Sequence, residues 1–374
     1  MIPIVDLKRQ YKQTGEEIEK AVVDVLRSGA YILGPNTKAL ESEIASYVGT
    51  KHAIGLNSGT DALHLALRAL DIGKGDEVIT VAFTFVATTE SIEIVGATPV
   101  FVDIDPDTFN MDVTQIEDKI TPKTKAIMPV HLYGQPADMD VIMDIAKRHN
   151  LYVIEDCCQA VGAEYKGKKV GSFGDIGAYS FFPTKNLGGM GDGGMAVTNS
   201  DYLKDRMIAL RNHGGAVRYH HDEIGVNSRL DEIQSAILRV KMNYIDEWNK
   251  MRREVAKRYT ELFKDCEDVI TPKELDDTYC VYHQYTIKVP NRDAVQKMLQ
   301  ENGVGAMLYY PIPLHMQKVH AHLGYKMGDL PKTEYNTQHV MSLPMFAELT
   351  AEEQKEIATK VKEAIAKSKE TANS

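Results

Sequence analysis

One lysine stands in a setting unlike that of an ordinary surface cation. Lys185 lies in Gly177-Ala178-Tyr179-Ser180-Phe181-Phe182-Pro183-Thr184-Lys185-Asn186-Leu187-Gly188-Gly189-Met190-Gly191-Asp192-Gly193-Gly194, where an apolar run delivers it into a glycine-rich loop. An amine so placed can form a Schiff base with an aldehyde cofactor, and partial burial lowers its pKa toward the range where the neutral form acts. Gly189–Gly194 also matches G-x-G-x-x-G, the pattern of dinucleotide sites. That fingerprint must follow a strand and open a helix, whereas these glycines follow the lysine loop and precede an apolar run, so a nicotinamide reading fails on context.

Two further segments could serve such a lysine. Asp156 and Gln159 lie in Ile154-Glu155-Asp156-Cys157-Cys158-Gln159-Ala160, directly after an apolar strand-like run. A carboxylate at the carboxyl edge of an open α/β sheet can pair with a protonated pyridine nitrogen and keep the ring an electron sink. On its own, Asp156 serves equally well as a helix N-cap or a metal ligand. The run Leu56-Asn57-Ser58-Gly59-Thr60-Asp61 joins a small polar turn to a helix start, whose free N–H groups and dipole hold a phosphate as readily as they accept a simple cap.

These residues need a scaffold. The runs Glu77–Val81, Pro99–Asp103, Lys125–Val130, Tyr152–Glu155, Gly177–Phe182 and Met195–Thr198 read as strands, mostly apolar on both faces as in a buried parallel sheet. Helix-like stretches alternate with them, which predicts an α/β layer fold. Thr60–Leu70 places Ala62, Leu63, Ala66, Leu67 and Leu70 at helical spacing. Asp231–Phe263, free of proline and glycine, predicts one long helix linking two domains. Tyr282–Val289 then reads as a strand, with Asp293–Glu301 and Ala351–Lys369 as helices. A boundary near Ile245 gives a large domain over 1–245 and a smaller C-terminal α/β domain over 246–374.

Composition narrows the class. With 374 residues, 43% hydrophobic content and a formal net charge of −10, the chain reads as a globular protein with no electrostatic reason to bind nucleic acid. The charged first twenty-five residues lack the apolar core of a secretory signal, and no run of about 18 apolar residues appears. The expected location is the cytoplasm, with no membrane partner. The four cysteines and the histidines His213, His220 and His221 show no metal-ligand spacing, so no metal is expected.

Ser58–Leu63 (SGTDAL), Glu155–Ala163 (EDCCQAVGA), Ser180–Gly194 (SFFPTKNLGGMGDGG) and Gly225–Ala236 (GVNSRLDEIQSA) occur in order along one chain. In these motifs the chain resembles the DegT/DnrJ/EryC1/StrS family of nucleotide-sugar aminotransferases, from Val5-Asp6-Leu7 to Tyr310–His315. The resemblance implies the aspartate aminotransferase fold (fold type I), pyridoxal 5'-phosphate as cofactor with pyridoxamine 5'-phosphate formed in turnover, and a homodimer with shared active sites. It carries Lys185 over to the Schiff-base lysine, Asp156 to the partner of the pyridine nitrogen and Gln159 to the neighbour of the ring oxygen. Gly59, Thr60 and Ser180 match phosphate-binding positions, Asn227 a position reaching the phosphate from the other subunit, and Phe85 an aromatic ring stacked on the cofactor. Tyr31, Arg229, Tyr309, Tyr310, Pro313 and His315 resemble the wall that contacts the nucleotide sugar. Lysine, not histidine, at 185 points away from the dehydratase branch. The implied reaction moves an amino group from an amino acid, glutamate in most of the family, to a nucleotide-linked keto sugar. Asn227–Glu232 and Cys280–Tyr285 look more like members acting at C3 of a dTDP-linked 3-keto-6-deoxyhexose than like those acting at C4 of dTDP-, UDP- or GDP-linked 4-keto sugars. A non-catalytic regulatory relative with an intact cofactor site is the reading from another class.

Overall fold

The computed structural model describes residues 1–215, 217 and 219–372. The chain opens with α1 (Leu7–Ser28), α2 (Pro35–Val48), β1 (His52–Leu56), α3 (Gly59–Ala69), β2 (Glu77–Val81), α4 (Ala87–Ile94), β3 (Thr98–Val102) and β4 (Thr124–Ile127). It continues with α5 (Met139–His149), β5 (Tyr152–Asp156), β6 (Glu164–Tyr165), β7 (Lys168–Lys169), β8 (Ile176–Ser180), β9 (Gly194–Thr198) and α6 (Asp201–Arg211). Then follow α7 (Glu232–Met242), α8 (Ile245–Phe263), β10 (Thr278–Tyr279), β11 (Tyr285–Lys288), α9 (Arg292–Glu301), α10 (Pro331–His339), β12 (Val340–Leu343) and α11 (Ala351–Ala372).

Seven strands form the main sheet in the order β1-β9-β8-β5-β4-β2-β3. β9 pairs antiparallel with both its neighbours, and the pairs from β8 to β3 are parallel. Successive residues of a strand face opposite sides, so adjacent apolar residues feed two different cores. Val78, Ala126 and Ile154 pack with Ala62, Leu63, Ala66 and Leu67 of α3, whereas Ile79, Ile127 and Val153 pack with Ile142 and Ile145 of α5. The result is a helix–sheet–helix sandwich, the α/β class expected from the alternating pattern.

A separate core gathers Val255, Tyr259 and Phe263 of α8, Tyr285 and Ile287 of β11, Met341 and Leu343 of β12 and Ile357 and Val361 of α11. Ile2 joins this core, and its N–H donates to the Gly303 carbonyl at 2.8 Å. The first residues therefore run beside the C-terminal unit although they precede the large sheet in sequence. The proposed division at 245 falls on the first residue of α8.

Several expected boundaries need correction, among them the strand expected over Tyr282–Val289, which spans only Tyr285–Lys288. The single helix over Asp231–Phe263 is two helices, interrupted at Asn243 and Tyr244, whose N–H groups bond three residues back to Val240 and Lys241. No local breaker causes this. Leu238 of α7 is buried with the main-sheet residues Met195 and Val197, whereas α8 faces the second core, and a continuous rod cannot follow both. β4 ends at Ile127 instead of Val130, because Pro129 lacks the N–H that a ladder needs. β8 ends at Ser180 instead of Phe182, where the chain turns toward Pro183.

Candidate active site

Asp156 is the last residue of β5 and is 5% exposed. One carboxylate oxygen accepts the Thr88 hydroxyl at 2.8 Å and the other accepts the Cys158 N–H at 3.2 Å. Thr84 lies 3.0 Å from the same Thr88 oxygen. Since the Thr88 hydrogen goes to Asp156, Thr84 is the donor to Thr88. Thr84 and Thr88 thus form a hydroxyl relay that fixes the acid. Thr88 was not singled out in the sequence, although Thr84 and Thr88 both follow closely on β2 and were there to be noticed.

Lys185 follows β8 on the turn that leads back to β9. Burial lowers its pKa, opposed by the upward pull of Cys158 and Asp156. A cation whose desolvation outweighs its attraction to a nearby carboxylate gives up its proton more readily than a free lysine. Gln159 is buried; its side-chain carbonyl accepts the Tyr133 N–H at 2.7 Å and its amide donates to the Tyr310 hydroxyl at 3.0 Å. Its second amide hydrogen stays available. Tyr133 is a residue the sequence reading missed. Its backbone adopts φ 57° in the turn Leu132–Gly134, and its hydroxyl donates to the Tyr309 carbonyl, tying the β4 edge to the tyrosine pair. The Gly134 and Pro136 turn signals after β4 mark that edge in the sequence.

Gly59 opens α3 beside Ser180. A Cβ at position 59 would lie 2.7 Å from both the Cys158 sulfur and the Ser180 Cβ, so only glycine fits. Ser58 caps the helix by accepting the Asp61 N–H at 3.0 Å, which leaves the N–H groups of Gly59 and Thr60 without intrahelical acceptors. Phe85 is 55% exposed, with its ring centroid 6.2 Å from that of Tyr310. The residues around Lys185 therefore fit a phosphorylated aromatic aldehyde. An anion cradle has no room for a Cβ, a tethered carboxylate can meet a ring nitrogen, an amide donor remains free, and an aromatic face lies open.

Other implied residues lie elsewhere. Tyr31, exposed, and Asn227 and Arg229 belong to a different edge, beside a cleft of about 870 Å³ lined by Leu33, Asn212, His213, Tyr219, Ile224 and Arg229. Neither Lys185, Asp156 nor Gln159 lines that cleft. Asn227 bridges Asn212, and the Ser228 hydroxyl donates to Asp61 at 2.6 Å, which anchors this segment to the start of α3. Tyr309 and Tyr310 reach the Gln159 cluster, whereas Pro313 and His315 are buried behind it. His315 bonds Glu334 at 3.0 Å and meets the Tyr325 ring edge-on, away from the open surface.

His131, Glu155 and Cys157 stand close enough to resemble a metal site. Their hydrogen bonds say otherwise. The Glu155 carboxylate accepts the N–H groups of Gly171, Phe173 and Gly174 as well as His131 Nε2–H, and His131 Nδ1 accepts the Ala137 N–H. Burial raises the Cys157 pKa well above the ordinary thiol value, so the sulfur stays protonated.

The DegT/DnrJ/EryC1/StrS aminotransferase family model matches residues 12–362. The chain belongs to this family. It is 53% identical to a "pleiotropic regulatory protein" of Geobacillus stearothermophilus, covering 97% of this chain and 98% of that one. It is 49% identical to the UDP-N-acetyl-3-dehydro-alpha-D-glucosamine 3-aminotransferase of Acidithiobacillus ferrooxidans, over 96% and 97% of the two chains. The crystal structure of S. venezuelae DesV superposes with a TM-score of 0.94 at 40% identity, covering 97% of this chain and 98% of that one. The protein is a pyridoxal phosphate-dependent sugar aminotransferase of the aspartate aminotransferase fold. Among the described residues no helix is long and apolar enough to cross a membrane.

Proposed function

We propose that this aminotransferase places an amino group on C3 of a nucleotide-linked 3-keto hexose, with glutamate as donor and Lys185 as the group that moves the proton. The carrying observation is a desolvated Lys185 beside the tethered Asp156 at the carboxyl edge of the sheet. Bound pyridoxal phosphate supplies the carbon that carries nitrogen between donor and sugar, and a ring that takes up the electron pair released there. The chain does the rest. Within each half-reaction the Lys185 amine takes a proton from one carbon and delivers it to another, and the second half-reaction runs this transfer in the opposite sense. Asp156, held by Thr88, favours a protonated ring nitrogen, and Gln159 offers its free N–H to a ring oxygen. The amides of Gly59 and Thr60, with Ser180, would hold the phosphate, and Phe85 would offer its exposed ring to the cofactor.

Tyr31, Arg229, Tyr309 and Tyr310 remain the proposed sugar-nucleotide contacts, whereas Pro313 and His315, buried with His315 bonded to Glu334, are proposed to shape the tyrosine segment without touching the sugar. Exposed Val217, Tyr219 and Ile224, together with the open cleft beside Arg229, support a homodimer in which Asn227 and this edge complete the partner's site. The C3 position has support in relatives named as 3-amino sugar transaminases at 42% and 45% identity. Those two are named for dTDP sugars, in keeping with a dTDP-linked 3-keto-6-deoxyhexose handled in the cytoplasm. A UDP-linked acetamido sugar is the second reading, favoured by the relative at 49% identity. Purified enzyme incubated with glutamate and a panel of 3-keto and 4-keto sugars on dTDP, UDP and GDP tests both. Amination at C3 of the dTDP sugar is expected, and amination of 4-keto sugars alone would overturn the C3 assignment.

A further inference from the structure

The turn that carries Lys185 closes on itself: Lys185 N–H donates to the Phe182 carbonyl at 2.8 Å and Gly189 N–H to the Phe181 carbonyl at 2.7 Å. Gly188 has no room for a side chain, because a Cβ there would run into the Pro183 carbonyl. Helix α7 reaches this turn at two points. Gln234 accepts the Met190 N–H at 2.8 Å, and seven residues along the same face Lys241 donates from Nζ to the Gly188 carbonyl at 2.7 Å.

Lys241 is 2% exposed, and α7 buries it beside Ala236, Ile237 and Leu238. Burial alone lowers its pKa to about 8, with no carboxylate acting on it. An ammonium at such depth is costly compared with methionine or leucine, and its one bonded acceptor lies three residues beyond Lys185. The same helix begins with Glu232, which accepts the N–H groups that open α2, so its polar contacts on both sides fix it in place. A helix so anchored is a rigid support for a loop that must present an amine accurately.

We propose that Lys241 is a positioning residue for transamination: through the Gly188 carbonyl it sets the place of the turn that presents Lys185, with Gln234 as the second tie. The proposal rests on the role of Lys185 given above. The test uses the cofactor-loaded full-length enzyme and the variants Lys241→Met and Gln234→Leu. For each, four quantities are measured: borohydride labelling of the Lys185 peptide, the pH midpoint of the visible cofactor band, kcat and KM for glutamate, and the thermal midpoint without cofactor. In Lys241→Met, Lys185 is expected to remain the labelled residue while the band midpoint moves. A misplaced amine is expected to lower kcat roughly tenfold with donor KM within about twofold. The cofactor-free midpoint at neutral pH is expected to hold or rise, since a buried ammonium is gone. Unchanged band midpoint and kcat would overturn the proposal. So would losses matched by an equal fall in cofactor-free stability, the mark of a merely structural role. If Lys241→Met fails to fold, Gln234→Leu decides: a smaller shift of the same kind supports the proposal, and none overturns it. Labelling of a lysine other than 185 in the unsubstituted enzyme would instead overturn the parent reading.

Discussion

The Asp156 end of the site and the Arg229 edge are built on opposite principles. Around Asp156, polar groups are buried and tied to one another, through Thr84, Thr88, Cys158, Gln159, Tyr133 and Tyr310. Around Arg229, side chains face an open cleft: Asn227 is exposed, Tyr219 is 80% and Ile224 84% exposed, and the buried Nε of Arg229 has no hydrogen-bond acceptor among the described residues. A network satisfied within one chain holds its geometry before any ligand arrives. An edge with large apolar side chains in water awaits a surface to cover it. The first end suits chemistry common to all substrates, and the second suits recognition and assembly.

Substitution at the buried end is expected to do most damage. Lys185→Ala removes the proposed proton carrier, and kcat is expected to fall by at least about a thousandfold in assays with glutamate. Residual activity within tenfold of the parent would break the comparison at its root. Asp156→Asn keeps the shape but removes the charge, and is expected to lower kcat by roughly a hundredfold or more. Thr88→Val, which deletes only the tether, is expected to cost about tenfold, in line with one hydrogen bond to a charged group.

The open edge is probed by mixing subunits. If Arg229 acts across a dimer, refolding Lys185→Ala protomers together with Arg229→Glu protomers is expected to restore about a quarter of normal activity, because half of the dimers then carry one intact site. No restoration would place Arg229 in the same site as its own Lys185. The smallest effect serves as a control outside both regions. Glu353 hydrogen-bonds Arg9, which holds its pKa at about 2. Because the folded value is depressed, this pair stabilises fully above about 4.5 and loses its contribution as pH falls toward about 2. Arg9→Gln is expected to remove less than about 1 kcal/mol at neutral pH, measured by urea unfolding, with the difference vanishing in acid and kcat unchanged.

Most of the sheet was legible because each buried strand is a short apolar run between turn signals, as Glu77–Val81 and Tyr152–Asp156 show. The placement of Lys185, Asp156, Gln159 and Gly59 beside strand ends and turns was legible for a related reason, since glycines and small polar residues mark those turns in the sequence. Thr88, Tyr133 and Lys241 were overlooked. A threonine, a tyrosine and a lysine are unremarkable in sequence, and their meaning comes from partners 68, 26 and 53 residues away.

The order of residues by itself determined the α/β class, the lysine loop, the strand-end acid and the glycine at the start of α3, because these depend on periodicity and on local backbone freedom. Only the tertiary structure decided that the helix after Asp231 breaks at Asn243, that Ile2 belongs to the C-terminal core, and that His315 turns inward to Glu334. Each of those depends on which distant surface a side chain meets. Burial and pairing across the fold are set by packing, which no run of neighbouring residues encodes alone.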